Sequence, residues 1–304
     1  MKPLNTLLAV LLITLLSSCS GGTNFDELVE RDGLYYLKHS DVPFTGKVTD
    51  KSRGNLKNGK KEGVWIEYWD NGAFKNKINY KNGKREGAWV EYMNDGELSS
   101  KGTFKNGKKE GYWIDYWWDG QLSSKGNYKN GKEEGDWVVY HQNGQLERKG
   151  YYWQGKEIGD WVVYHQNGQL KSRVNYKHGK EEGDWVDYHE NGQLYVKGNY
   201  KNGKKEGAWV SYNESGRLMD EGNYKNGKRE GVWFVYWVNG KLWYSVNHKN
   251  GKREGAWISY FDNGQLWRKG NYKDGKKEGA WVEYDYHGQL ESKGNYKNGL
   301  KISD

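Results

Sequence analysis

Cysteine and proline are nearly missing from this chain. One cysteine, Cys19, stands among 304 residues, so no internal disulfide framework can form. The two prolines are Pro3 and Pro43, and nothing after them interrupts a hydrogen-bonded ladder. No stretch shows the 3.6-residue apolar period of an amphipathic helix. Glycine, at 43 residues, recurs too often for helices. The apolar run at residues 7–16 is too short to span a bilayer comfortably. The chain also lacks a Ser-His-Asp order, a phosphate-binding loop and a pair of acids with a reason to be unequal. No catalytic residue is therefore assigned, no enzyme is expected, and no cofactor is expected.

What is present is a period. Tryptophan recurs every 24 residues, at Trp65, Trp89, Trp113, Trp137, Trp161, Trp185, Trp209, Trp233, Trp257 and Trp281. Tyrosine keeps the same register at Tyr68, Tyr92, Tyr116, Tyr140, Tyr164, Tyr188, Tyr212, Tyr236, Tyr260 and Tyr284. Gly63, Gly72 and Gly83 return as strictly. A fixed period of this length signals a repeat architecture. These Trp and Tyr side chains are the expected repeat core.

Within one unit, Val64-Trp65-Ile66-Glu67-Tyr68 has the β-branched and aromatic make-up of a strand. Asp70-Asn71-Gly72 is a turn. Residues 74–81 form a second strand-like run, and Asn82-Gly83-Lys84 a second turn. The fold class is therefore all-β: an elongated antiparallel β-meander of hairpin units, about ten of them. Trp65 and Tyr68 point to opposite sides of a regular strand. Phe74, Ile78 and Tyr80 share a parity. Two-residue turns would put that set with Trp65, and three-residue turns with a glycine bulge would put it with Tyr68. The glycine at the 126 position leaves room over which a ring can lie.

The N-terminus reads as an export signal. Lys2 precedes the apolar run, which ends in Leu16-Ser17-Ser18-Cys19. This resembles the lipobox of bacterial lipoproteins, which implies that Cys19 is the lipidated first residue of the mature chain. By the same resemblance, Ser20 favours outer-membrane sorting in a diderm host. The division expected is a signal peptide at residues 1–18, a lipidated Cys19 and tether at 19–24, a cap with a degenerate first repeat at 25–56, and the repeat array at 57–304, as one domain without a hinge. The chain stops inside the turn after Gly299, and the strand near Tyr296 is the expected open edge.

The net charge of +8 is unevenly placed. One turn per unit is basic, and alternate turns of a meander share an edge. Lys60, Lys61, Lys84, Arg85, Lys108, Lys109, Lys204, Lys205, Lys228, Arg229, Lys252, Arg253, Lys276 and Lys277 would line that edge at roughly 10 Å per unit. Such a rail suits an anionic polymer or a membrane surface. Nucleic acid is not expected after export. His141, His165 and His189 occupy equivalent positions roughly 10 Å apart, too far for one ion at about 2 Å per ligand. The carboxylates Glu67, Glu91, Asp115, Asp187 and Glu283 fail for the same reason, so no metal is expected.

Lys-Gly-Asn-Tyr-Lys-Asn-Gly-Lys-Lys-Glu-Gly-Ala-Trp-Val at 197–210, followed by Tyr212, resembles the MORN-repeat variant of bacterial proteins, a family often labelled as the YwqK-like antitoxin component of a toxin–antitoxin module. The cap sequences Arg31-Asp32-Gly33-Leu34-Tyr35-Tyr36 and Pro43-Phe44-Thr45-Gly46-Lys47 resemble the start of such proteins. The resemblance covers residues 33–300. It implies a β-hairpin array, membrane-proximal or protein-binding scaffolding, and no catalytic residues. The function expected is a lipid-anchored scaffold of the cell envelope that binds an unidentified protein or an anionic envelope polymer. An antitoxin-like protein with a single protein partner is one alternative, and a glycan-binding module using exposed Trp is another.

Overall fold

The computed structural model describes residues 21–303. The signal-like segment and Cys19 lie outside the described residues. Among the described residues there is one short 3-10 helix, Phe25–Glu27, and no α-helix. No helix there is long and apolar enough to cross a membrane. The chain divides into two compact units between Gly96 and Glu97.

In the first unit, Gly46–Thr49, Ser52–Lys57, Lys60–Tyr68, Phe74–Lys81 and Lys84–Tyr92 pair antiparallel in chain order. Thr23–Asn24 pairs in parallel with Gly46–Thr49 and covers its other edge. Leu28–Arg31 and Leu34–Leu37 form a separate hairpin. That hairpin and the segment after it hold the first turn through backbone bonds, with Tyr35 N donating to Gly59 O and Gly59 N donating to Phe44 O, each at 2.8 Å. Phe25 meets Trp65 edge-on at 6.4 Å. An aromatic from outside the repeats thus closes the first indole against solvent.

In the second unit, nine-residue Trp strands such as Lys108–Tyr116 alternate with eight-residue return strands such as Leu122–Lys129. Each pairs antiparallel with the next. The all-β meander expected from the 24-residue period is the observed fold. One boundary differs from expectation. Leu300–Ser303 adds a final strand on Leu290–Lys297, so the chain does not end inside the turn and the Tyr296 strand is not the last. Lys301 makes this possible: its stem lies where a Cβ on Gly294 would fall, the seat that an indole fills elsewhere.

The two turns of a unit differ in chemistry. Lys81 pairs directly with Lys84, while Asn82 and Gly83 carry φ of 52° and 79°. That is a two-residue turn with both central residues left-handed, which Asn-Gly favours. The other turn is a five-residue loop. Trp69 N donates to Ala73 O at 2.8 Å, Gly72 N donates to Trp69 O at 2.9 Å, and Asn71 Oδ1 accepts from Ala73 N at 3.0 Å.

Gly63 and its equivalents serve a third purpose. Asn55 pairs with Glu62 and Arg53 with Ile66, so Gly63-Val64-Trp65 lies opposite the single residue Gly54. Gly63 carries φ of 69° and permits this bulge, which lays the indole across the neighbouring backbone. A second irregularity, between Glu67 and Tyr68, splits the set that parity had grouped. Ile78 and Tyr80 share the Trp65 face, whereas Phe74 pairs with Tyr68 and meets it edge-on at 6.1 Å.

Candidate functional site

The Trp face is a ladder of perpendicular rings. From Trp113 through Tyr128, Trp137, Tyr152 and Trp161 to Tyr176, successive centroids are 4.9–6.4 Å apart and the planes cross at 76–90°. These are the edge-to-face contacts that aromatic quadrupoles prefer. Seven of the ten ladder indoles rest on a glycine of the preceding strand: a Cβ on Gly126 would stand 1.9 Å from Trp137 Cε3, and one on Gly198 2.2 Å from Trp209 Cδ2. Six of the ten ladder Trp are at most 5% exposed, so their faces offer no platform for stacking a glycan. Burial pushes the Tyr128 hydroxyl up to about 12 and raises those of Tyr152, Tyr176 and Tyr200. These four phenols therefore stay protonated at neutral pH.

The basic pairs divide between two surfaces. The second member lies over an indole: Lys61 over Trp65 at 4.4 Å, Lys109 over Trp113 at 4.1 Å, Lys205 over Trp209 at 4.0 Å, Arg229 over Trp233 at 4.1 Å, Lys277 over Trp281 at 4.4 Å, and Arg85 and Arg253 over Trp89 and Trp257 at 5.0 and 4.9 Å. These cations seal the ladder through cation–π contacts. The first member stays on the edge. Lys60, Lys84, Lys108, Lys204, Lys228, Lys252 and Lys276 are exposed. Several pack their stems on the next turn's glycine, as Lys60 does on Gly83 with a Cβ approach of 3.5 Å. Lys132, Lys156 and Lys180 continue this row and are also exposed. They escape a search for basic turns because the residue after each is Glu133, Glu157 or Glu181. Their signal is the strict period of the first lysine alone.

The turns are tied along both edges. On the lysine edge, Glu62 Oε2 accepts from Asn82 N at 2.7 Å, and Glu182, Glu206 and Glu230 repeat the contact with Asn202, Asn226 and Asn250 at 2.8 Å. On the opposite edge, Asn71 Nδ2 donates to Asn94 O, and Asn143, Asn167 and Asn191 donate to the turns that follow them at 2.7–2.8 Å. The core tyrosines receive a similar tie. Trp69 Nε1 donates to Tyr92 O, Trp117 Nε1 to Tyr140 O and Trp237 Nε1 to Tyr260 O. His141, His165 and His189 occupy the same position and place Nε2 2.8–2.9 Å from the carbonyls of Tyr164, Tyr188 and Tyr212. A carbonyl only accepts, so Nε2 carries the proton. The three histidines are structural donors, each to its own carbonyl.

Departures from the repeat change the ladder. Ile78, Val174 and Val246 stand where other units have the glycine seat, opposite Trp89, Trp185 and Trp257. Trp89 is 8% exposed, and Trp185 and Trp257 are only half-buried, so these three are the least buried indoles of the ladder. A β-branched side chain occupies the seat and lifts the ring. Two hollows follow, of about 310 and 330 Å³, bordered by Trp185 and Trp257. The first is also lined by Asp187, Asp220, Lys205 and Arg229, so its charges are mixed. On the opposite face, Val186, Val210 and Phe234 floor a wider groove of about 910 Å³.

The model of the MORN repeat variant matches nine segments: 61–82, 109–130, 133–154, 157–178, 181–202, 205–226, 229–250, 253–274 and 277–298. The chain belongs to the MORN repeat variant family. The MORN-variant unit passed over, residues 85–106, is the one that contains the division at Gly96. No curated protein matches. Among solved structures, the TcdB2-TccC3-Cdc42 crystal structure aligns over 87% of this chain and 17% of that one, at 12% identity and a TM-score of 0.18. A Tc holotoxin pore from Photorhabdus luminescens aligns over 84% and 16%, at 14% identity and a TM-score of 0.18. This MORN-variant chain thus spans about a sixth of the solved chains it resembles, and likenesses this slight carry no functional argument.

Proposed function

We propose that this chain is a non-enzymatic, lipid-anchored scaffold of the cell envelope, held to the membrane through Cys19 and binding an anionic envelope polymer or a protein along its lysine edge. The observation that carries the reading is an exposed lysine at the same turn position of every unit, from Lys60 to Lys276. It persists even where the neighbouring lid residue changes sign. Charges repeated at roughly 10 Å give weak, equivalent contacts that add by avidity. The apolar floor of the groove, Val186, Val210 and Phe234, supports a protein partner on the opposite face.

Fatty-acid labelling with membrane fractionation tests the anchor. The native chain should be labelled and sediment with membranes, and Cys19→Ala should lose both properties. A native chain that is soluble and unlabelled would overturn the anchor and put an antitoxin-like intracellular binder of one protein in its place. Changing Lys132, Lys156 and Lys180 together to Gln should weaken retention on a polyanion column without disturbing the ladder.

A further inference from the structure

An array of copies places the same residues on a line, so a site of its own kind must come from the departures. They concentrate around Val246. Trp243, Tyr244, Val246, His248, Trp267 and Arg268 all differ from the residues that most units carry at those positions. Val246 takes the seat of Trp257, and the indole turns to stack on Tyr244 at 4.6 Å with planes 18° apart, unlike the perpendicular contacts of the ladder. The hollow of about 330 Å³ left beside it is lined by Trp257, Trp267 and Trp281 and by Arg253, Arg268 and Lys277. Each cation is supported by an indole: Arg268 lies over Trp267 at 4.4 Å, beside the Arg253 and Lys277 pairs already described. Among the described residues that line it, none is acidic. Glu283 pairs with Arg268, whereas Arg253 and Lys277 bring two charges whose described contacts are aromatic rings and the Tyr272 hydroxyl.

From this geometry we infer that the hollow at Val246 is a binding site for a small planar organic anion, an aromatic ring carrying a carboxylate or phosphate. The walls set the class. Indole and phenol rings offer apolar contact to a flat body but few hydrogen-bonding groups, which disfavours a ligand rich in hydroxyls. Arg253 and Lys277 supply charge-assisted bonds to an oxyanion. The volume lies at the lower end of small-molecule sites. The hollow beside Trp185 serves as an internal control, because its indole too faces a valine, Val174, in place of the glycine seat but Asp187 and Asp220 balance its cations. The inference is independent of the lipid anchor and of the lysine edge.

Calorimetric titration of the full chain with phenyl phosphate tests it, with inorganic phosphate and benzyl alcohol as the two half-ligands. Saturable binding of one phenyl phosphate per chain is expected, with each half-ligand at least tenfold weaker. Val246→Gly restores the common residue, lets Trp257 return to its seat, and should abolish binding while the chain stays folded. Val174→Gly should leave binding unchanged. Arg253→Gln and Lys277→Gln should each weaken it about tenfold, as loss of a charge-assisted hydrogen bond does. Unchanged affinity in Val246→Gly, equal loss in Val174→Gly, or no saturable binding of phenyl phosphate would overturn the site.

Discussion

The three units around Trp137, Trp161 and Trp185 and the four around Trp209, Trp233, Trp257 and Trp281 share a period and a strand register but not a lid. In the later four, Lys205, Arg229, Arg253 and Lys277 lie over the indoles. In the central three that position holds Glu133, Glu157 and Glu181, and the turn position holds His141, His165 and His189. Trp137, which has the glycine seat but no cation described over it, is nevertheless only 7% exposed, whereas Trp257, which has Arg253 over it but Val246 in the seat, is half-buried. Burial of the ring is therefore set beneath it, by the glycine seat and the flanking tyrosines. The lid adds a smaller increment and is free to change sign. The seat and the lid can be broken separately.

The largest effect should come from the seat. Gly126→Val would force a Cβ against Trp137 in a unit whose neighbours have not adapted. Overpacking of this kind costs about 1–3 kcal/mol. Because an array loses stability locally and between neighbours, hydrogen exchange of the amides around Trp137 is the measurement, and unchanged protection there would remove the seat from the explanation.

A pH-dependent effect should come next. His248 stands where most units have tyrosine and is 6% exposed. Burial, then Arg229 and Arg253, hold its imidazole below the usual range. The unfolded chain therefore takes up a proton first as pH falls, near the ordinary histidine value of about 6.5. Stability contributed by the neutral ring is present above that value and is lost as pH falls toward the depressed folded value. Protection factors around Trp233 and Trp257, corrected for the intrinsic pH dependence of amide exchange, should fall between about pH 7.5 and 5.5, and His248→Tyr should flatten the change.

The smallest effect belongs to the lid. Lys205→Glu copies the central units onto Trp209 and should cost about 0.5–1 kcal/mol, the scale of an exposed cation–π contact. Protection lost there on the scale of the seat variant would mean that the lid, not the glycine, holds the ring.

Much of the fold was legible because glycine and tryptophan carry positional meaning. Asn82-Gly83 announces a two-residue turn, and the glycine at 126 announces room for a ring. The hollow at Val246 was not legible as a site. Val174 and Val246 are visible departures, but nothing in the string says that a valine there lifts the indole of the next strand. That contact joins residues eleven apart through a bulge, as Val246 and Trp257 show. The sign of the lysine edge was also half hidden, since Lys61 and Lys60 are adjacent in sequence while one seals the ladder and the other faces water.

The sequence by itself determined the period, the strand and turn alternation, and the residues that form the ladder, because these depend on local backbone preference and on spacing. Only the tertiary structure decided which rings share a face, which of two neighbouring cations is spent on an indole, and where the ladder opens. Those outcomes depend on strand register, and a bulge at Gly63 or at Tyr68 resets register in a way that parity along one strand does not record.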